Sequence, residues 1–182
     1  MEKFTQLEEK HIEFIQQQHI FFVATAAREG HVNLSPKGTN SLWVKNENEV
    51  VWLNLTGSGN ETAAHLKDIN RMTIMFCSFD KQPLILRLYG QAEAIHPYDS
   101  RWQSYCDKYG ESVGARQFFN LNIDMVITSC GYAVPYYDFK EDRKTLFNWA
   151  EKKGKEGIQD YWDKNNRKSL DDLPTDIFLE EE

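Results

Sequence analysis

The hydrophobic and polar positions along the chain predict short strands that follow one another in pairs. Apolar runs rich in β-branched and aromatic residues are separated by turns that carry Gly, Asn, Asp or Pro, which is typical of β-hairpins. Three such pairs are present: 20–26 with 31–36, 41–45 with 50–55, and 72–79 with 84–95. In the last run leucine and alanine alternate with mainly polar residues, so it predicts a half-buried antiparallel strand with a bulge or bend at Gly90. A further strand is predicted from Ile123.

Helical segments are predicted between and after these strands. Thr5 and Glu8 have the spacing of a capping box, so they predict a helix that ends near Gln18. The other predicted helices are Glu61 to Ile69, Tyr98 to Tyr109 and a polar stretch that begins at Asp138.

Tight connections between the strands decide the kind of sheet. Parallel neighbours need long crossovers, so six or seven strands joined mainly by hairpins predict an antiparallel sheet rather than a Rossmann fold. Closure of this sheet into a small barrel would remove exposed edges, and we expect that architecture. A chain of 182 residues is expected to form one domain.

Composition and charge exclude some classes of partner. The net charge is −7, acidic residues gather in the last forty residues and at 180–182, and no arginine-rich stripe is present. We therefore expect neither nucleic acid nor membrane as a partner, and a cytoplasmic location, because no run approaches about 18 apolar residues. The five histidines and three cysteines show no metal-binding spacing, so no metal site is predicted.

The turn between the run 50–55 and the following helix carries candidate chemistry. It reads Thr-Gly-Ser-Gly-Asn-Glu-Thr from Thr56 to Thr62. Backbone N–H groups at such a turn can hold a phosphate, but Ser58 and Glu61 also have the spacing of a capping box that only starts the helix. Both interpretations stay open. Upstream, Lys37 ends a strand beside a proline and a glycine, either as a solvated lysine or near the same rim of the barrel.

The order of these segments resembles the pyridoxamine 5'-phosphate oxidase-like, flavin-binding split barrels. The segments are FFVATA, VNLSPKG, VVWLNLTGSGNET, NRMTIMF and LRLYGQAEAI, from about Ile20 to Ile95. The resemblance implies an α+β, mainly β fold: a six-stranded antiparallel split barrel with flanking helices. It also implies a homodimer with FMN in the cleft between subunits. We expect residues 1–137 to form the barrel domain and residues 138–182 a helical C-terminal extension packed on it.

Site residues follow from this resemblance. The strand that ends at Lys37 corresponds to the family segment that contacts the flavin, and the turn corresponds to its phosphate-binding segment. Arg87 matches a region that is basic in the family, although an outward-facing arginine explains it equally well. The resulting cofactor-binding candidates are Asn33, Ser35, Lys37, Gly38, Thr56, Ser58, Asn60, Thr62 and Arg87. No catalytic residue is assigned.

Two departures from the family limit the functional prediction. The oxidase carries an arginine and a lysine in its phosphate turn, whereas this chain has Gly59 to Thr62, which includes an acid. The oxidase's C-terminal substrate segment has no counterpart here, so oxidation of pyridoxamine phosphate is not implied. The resemblance implies an FMN-binding oxidoreductase that accepts electrons from a reduced nicotinamide or a small organic substrate. A non-catalytic flavin-, deazaflavin- or haem-binding protein is the alternative.

Two further features remain ambiguous in the sequence. The segment of Cys130 and the three tyrosines that follow it predicts a packed turn with a buried thiol, the lining of a substrate pocket, or a redox thiol. The apolar residues of the helical tail, including Leu146 and Trp162, are explained by packing on the barrel, across the dimer, or against a partner protein.

Overall fold

A computed structural model describes residues 1–179, and one antiparallel sheet of eight strands dominates it. The strands are β1 (Glu2–Phe4), β2 (Phe21–Thr25), β3 (Asn33–Lys37), β4 (Leu42–Asn46), β5 (Glu49–Leu55), β6 (Met72–Cys77), β7 (Leu84–Ile95) and β8 (Ala115–Cys130). The helices are α1 (Glu9–Gln16), α2 (Glu61–Asp68), α3 (Trp102–Tyr109) and α4 (Thr145–Asn165). The three glutamates at 180–182 lie outside the described residues.

The strand order is β3-β2-β6-β7-β8-β5-β4, and β1 pairs with the end of β8. Each of the three predicted hairpins is confirmed as an antiparallel pair, namely β2 with β3, β4 with β5 and β6 with β7. The main path of the sheet ends at the edge strands β3 and β4, because no ladder joins these two strands within residues 1–179. The structure therefore differs from the predicted six-stranded barrel: it has eight strands, and its hydrogen-bonded path is open. The chain turns between these two edge strands at Thr39 and Asn40, which have φ values of 61° and 51°.

Strand β8 begins eight residues before the predicted position. Its first half contains Arg116, Gln117 and Asn120, which interrupt the apolar pattern but are all buried. Polar residues at buried positions hide a strand from pattern analysis, because the pattern assumes that polar side chains face water. This early part of β8 pairs with β5 and carries residues of the site.

The buried apolar residues form three clusters. The largest lies between the sheet and α1 and includes Val23, Trp52 and Leu121, none of which is exposed. A second packs under α3, and a third joins α4 to Ile177. Because clusters lie on both sides of β5, that strand is buried on both faces, which explains its continuous apolar run.

The predicted helices are present, but their capping differs from the prediction. Glu8, not Thr5, is the N-cap of α1, and its backbone N–H donates to His11 Nδ1 at 3.0 Å. The capping box expected at Ser58 and Glu61 does not form, because the Glu61 carboxylate accepts from the backbone N–H of Leu170 instead. Helix α3 starts at Trp102, four residues later than predicted. None of the helices found in residues 1–179 has the length and apolar character needed to cross a bilayer.

The close packing of β7 on β8 at the Gly90 bulge can be tested by substitution. A register shift occurs there between β7 and β8, and a Cβ on Gly90 would collide with the backbone carbonyl of Asn122. We expect Gly90→Ala to lower the free energy of unfolding by about 1–3 kcal/mol or more in a urea titration. The control is Gly157→Ala in α4, where an added Cβ meets only the flexible side chain of Lys153. Equal effects of the two substitutions would contradict this account.

Candidate functional site

A cavity of about 640 Å³ lies beside edge strand β3. Its walls come from β3, the turn after β5, the start of α2, the first part of β8 and the segment that follows α4. Six of the residues predicted from sequence line it: Asn33, Ser35, Lys37, Ser58, Asn60 and Thr62. The topology thus brings together β3 and the turn before α2, although Lys37 and Ser58 are more than 20 residues apart in the chain.

The other three predicted residues lie outside the lining of this cavity. Gly38 lines a smaller cavity of about 290 Å³ near α1. Arg87 lies on β7 and donates from Nη1 to Ser129 Oγ at 3.2 Å. Thr56 is buried below the turn, where its hydroxyl donates to the carbonyl of Gly114 at 2.9 Å and accepts from Trp162 Nε1 at 2.8 Å. Thr56 therefore anchors the turn to α4.

Residues 57–60, here called the glycine turn, are held through their carbonyl groups. Arg116 Nη1 donates to the carbonyl of Gly59 at 2.8 Å, and Asn166 Nδ2 donates to the carbonyl of Gly57 at 3.2 Å. The backbone N–H groups of the glycine turn make no hydrogen bond to any other part of residues 1–179. A turn with bound carbonyls and free N–H groups is suited to an anion.

Asn60, at the end of the glycine turn, is the N-cap residue of α2. Its side chain is only 1% exposed, yet neither Nδ2 nor Oδ1 has a hydrogen-bond partner among the described residues. An unpaired buried amide costs roughly 1–3 kcal/mol, so such a group is rare without a reason. Asn60 is also one of the residues that line the cavity, so a ligand bound there would lie close to this unpartnered amide.

Lys37 provides a cation at another part of the same cavity. Its Nζ donates to Asn54 Oδ1 at 3.3 Å and lies 5.2 Å from the ring centroid of Trp52. Asn54 is oriented by a second bond, because its Nδ2 donates to Gln117 Oε1 at 2.9 Å. Burial, followed by the positive charge of Arg116, lowers the pKa of Lys37 to about 8. Lys37 is therefore a cation that an anionic ligand would stabilise.

Arg116 also lines the cavity, and sequence reasoning missed it. It is 3% exposed, and burial lowers its pKa to about 10. Its Nη1 also donates to Asn166 Oδ1 at 2.8 Å, but within residues 1–179 it makes no salt bridge with a carboxylate. The available signal was an arginine next to a glutamine just before Phe118 and Phe119, which is a charged residue inside a strand buried on both faces.

Residues after α4 form the outer wall of the cavity. Two acids close to this wall, Glu61 and Asp171, accept hydrogen bonds. The backbone N–H of Leu170 donates to both carboxylate oxygens of Glu61, at 3.1 and 3.0 Å. The backbone N–H of His31 donates to Asp171 Oδ2 at 2.8 Å, and His31 Nδ1 lies 2.7 Å from Asp171 Oδ1. These two contacts lower the pKa of Asp171, and the side-chain contact raises the pKa of His31. Both carboxylates are therefore held by hydrogen bonds, and Asp171 also has an ionisable partner in His31.

Cys130 lies at the end of β8 and is not among the residues that line the cavity. The expectation of a packed turn with a buried thiol is wrong, because Cys130 is exposed. Tyr132, Tyr136 and Tyr137, which follow it, are also exposed. The backbone leaves β8 there without a covering element, so the thiol faces solvent.

Comparison with known families identifies the class of protein. The model of the pyridoxamine 5'-phosphate oxidase family matches residues 7–130. This chain belongs to that family. The pyridoxamine 5'-phosphate oxidase family protein ustO of Aspergillus flavus is 38% identical over 175 residues, which cover 86% of this chain and 70% of that protein.

Solved structures show the same fold. A Lactobacillus delbrueckii protein assigned as a candidate pyridoxamine 5'-phosphate oxidase matches with a TM-score of 0.56 and 22% identity, covering 70% of this chain and 99% of its own. HupZ from Group A Streptococcus matches with a TM-score of 0.53 and 13% identity, covering 72% and 100%. At these identities the likeness describes the fold and not the activity.

The hydrogen bonds of Asn166 generate a test of how the glycine turn is held. Asn166 is fully buried and joins Arg116 to the carbonyls of Gly57 and Ser58. Asn166→Ala should lower the free energy of unfolding by about 1–3 kcal/mol, because it leaves buried partners unpaired. The control is Asn165→Ala, which removes only an exposed bond to the carbonyl of Tyr161. Urea denaturation of both variants checks this, and a loss confined to the control would contradict it.

Proposed function

We propose that this protein binds FMN in the cavity beside β3 and is an FMN-dependent oxidoreductase. It exchanges electrons with a reduced nicotinamide or a small organic substrate and works as a homodimer. One observation carries the proposal: the cavity combines the free N–H groups of the glycine turn and the unpartnered amide of Asn60 with the cation of Lys37. FMN has the complementary groups, a phosphate and a ring that becomes more negative on reduction.

The groups around the glycine turn fit a phosphate ester. Ser58, Asn60 and Thr62 line the cavity with hydroxyl and amide groups, next to the N-terminus of α2. Donors of this kind, together with a helix N-terminus, hold phosphate groups in many proteins. The volume of about 640 Å³ also lies within the range of about 300–1,000 Å³ typical of ligand sites.

Lys37 suits the ring end of the ligand. FMN, when bound, supplies the hydride and electron chemistry, and the protein supplies position and electrostatics. In the proposed arrangement the Lys37 ammonium, held by Asn54, stabilises negative charge that develops on the reduced ring. Asn33 and Ser35 lie on the same strand and line the same wall.

A second copy of the chain would complete the site in this proposal. Val32 and Leu34 are 74% and 63% exposed, lie at or next to edge strand β3 and line the cavity. Exposed apolar side chains beside a ligand cavity support an interface between subunits. Light scattering of the purified protein should give the mass of a dimer, and a monomer that retains FMN would contradict this part of the proposal.

A non-catalytic carrier of flavin or deazaflavin is the second candidate. It is favoured by the pairing of the acid and the histidine that line the cavity, because Glu61 is bonded to Leu170 and His31 to Asp171. That pairing leaves few groups for proton transfer. It also gives a haem-binding function the least support, since His31 is the histidine in the described lining.

Anaerobic addition of NADH and NADPH to the FMN-loaded protein separates the two candidates. The oxidoreductase proposal predicts bleaching of the visible flavin absorption at a rate well above that of free FMN. A flavin that stays oxidised with both donors would favour the carrier. A Soret band in the purified protein would contradict both.

The pKa of Lys37 generates a prediction about pH. Since that pKa is about 8, Lys37 is mainly cationic at pH 7 and mainly neutral at pH 9.5, so its contribution to FMN binding is present below about pH 8 and lost above it. We expect the FMN association constant to fall about tenfold between these pH values, because the Lys37 ammonium is lost; the phosphate is a dianion throughout and adds no pH dependence. Fluorescence titration of FMN measures this.

Lys37→Met removes the titrating group and keeps most of the side-chain volume. This variant should bind FMN more weakly at pH 7 and show a flat pH profile over the same window. The matched control is Lys45→Met on β4, whose ammonium pairs with Glu49 away from the cavity. A wild-type profile in Lys37→Met would show that Lys37 does not contact the bound flavin.

A further inference from the structure

The glycine turn carries no positive side chain of its own. Residues 57–60 are Gly-Ser-Gly-Asn, and Glu61 follows them. Neutral N–H groups orient a phosphate, but a phosphate dianion taken out of water also needs compensating charge. The source of that charge therefore has to be sought elsewhere in the cavity wall.

Arg116 of β8 supplies one positive charge beneath the turn. Its side chain is 3% exposed and lines the cavity, and its Nε has no partner among the described residues. A buried cation without a counter-ion is costly, whereas the same cation next to a bound anion is stabilised. Asn166 Oδ1 fixes the guanidinium in place by accepting from Nη1.

Lys168, in the segment after α4, supplies a second positive charge to the lining of the cavity. Its side chain is 66% exposed, and its nearest ionic partner, Asp172 Oδ1, is 3.7 Å from Nζ, too far for a hydrogen bond. Lys168, Ser169 and Leu170 all line the cavity. In the same segment the N–H of Leu170 occupies the Glu61 carboxylate.

We infer that residues 165–171, here called the C-terminal wall, complete an anion site that binds the terminal phosphate of a phosphate monoester. Arg116 and Lys168 provide the positive charge, and Asn60 and the glycine turn provide neutral donors. The acids Glu61 and Asp171 are hydrogen-bonded to Leu170 and His31. The wall lies outside residues 7–130, the part of the chain that matches the family model. The inference deepens the proposed function by giving its cavity a charge-bearing second wall.

Lys168→Ala is the first test, and Lys164→Ala is its control, because Lys164 lies on α4 outside the cavity lining and carries the same charge. Dissociation constants are measured for FMN and for riboflavin, which lacks the phosphate. Lys168→Ala should weaken FMN binding about fivefold and leave riboflavin binding unchanged, as expected for one partly exposed cation. Lys164→Ala should change neither.

Arg116→Gln tests the buried cation, and Arg116→Lys keeps the charge as a rescue. We expect Arg116→Gln to weaken FMN binding on the order of a hundredfold, as for the loss of a buried charged partner, with partial recovery in Arg116→Lys. Circular dichroism checks that each variant is folded. Since Arg116→Gln can also disturb the glycine turn, the FMN-to-riboflavin ratio decides the outcome, because a misplaced turn without a phosphate role would weaken both ligands equally.

Inorganic phosphate separates failure of this inference from failure of the proposed function. If neither flavin binds, but phosphate raises the melting temperature of the wild type more than that of Lys168→Ala, the anion site stands and the FMN proposal fails. If FMN binds equally to the wild type, Lys168→Ala and Arg116→Gln, the FMN proposal stands and the anion site is overturned. Absence of any effect of flavin or phosphate overturns both.

Discussion

The buried guanidinium of Arg116 is the interaction on which the site depends. It bonds the carbonyl of Gly59 and the side chain of Asn166, so one residue of β8 joins the glycine turn to the segment after α4. Carbonyl groups that point to Arg116 leave the N–H groups of the turn free. The carbonyl side of the turn is thus fixed by Arg116 and Asn166, and its N–H groups keep no protein partner among the described residues.

Although the protein is acidic overall, two buried cations make the cavity suited to an anion. The net charge of −7 resides on exposed carboxylates, many of them on the C-terminal part of the chain, whereas Lys37 and Arg116 are held inside low-dielectric surroundings. Burial strengthens local electrostatics and lowers the pKa of both cations, because neither has a carboxylate at salt-bridge distance in residues 1–179. Net charge therefore says little about this site.

The hairpins and α2 were predictable because their signals are local. Alternating apolar residues and turn residues within 84–95 or 20–36 determine strand and turn without reference to the rest of the chain. Helix caps were predicted less well, since the carboxylate of Glu61 bonds Leu170, which is 109 residues away. The open path of eight strands likewise depends on β1 and on the polar first half of β8, which no local pattern reveals.

Some residues of the candidate site could likewise be predicted from local signals, and others could not. Ser58, Asn60 and Lys37 were found from turn chemistry and from the resemblance to a family, because those signals lie within two short segments. Arg116 and the C-terminal wall were not found, since their role arises only when β8 and the segment after α4 meet the turn. The role of a buried polar residue such as Arg116 depends on which groups it bonds, and these groups are distant in sequence.

Calorimetric titration of FMN into the protein at pH 8 tests the central claim most directly, when it is performed in two buffers with different ionisation enthalpies. At that pH about half of the Lys37 side chains are neutral in the free protein, and the proposed hydrogen bond from the Lys37 ammonium to the flavin ring favours the charged form and raises the Lys37 pKa. The account predicts saturable binding of FMN with uptake of about half a proton for each molecule bound. Absence of saturable heat, or binding with the same heat in both buffers, would contradict it.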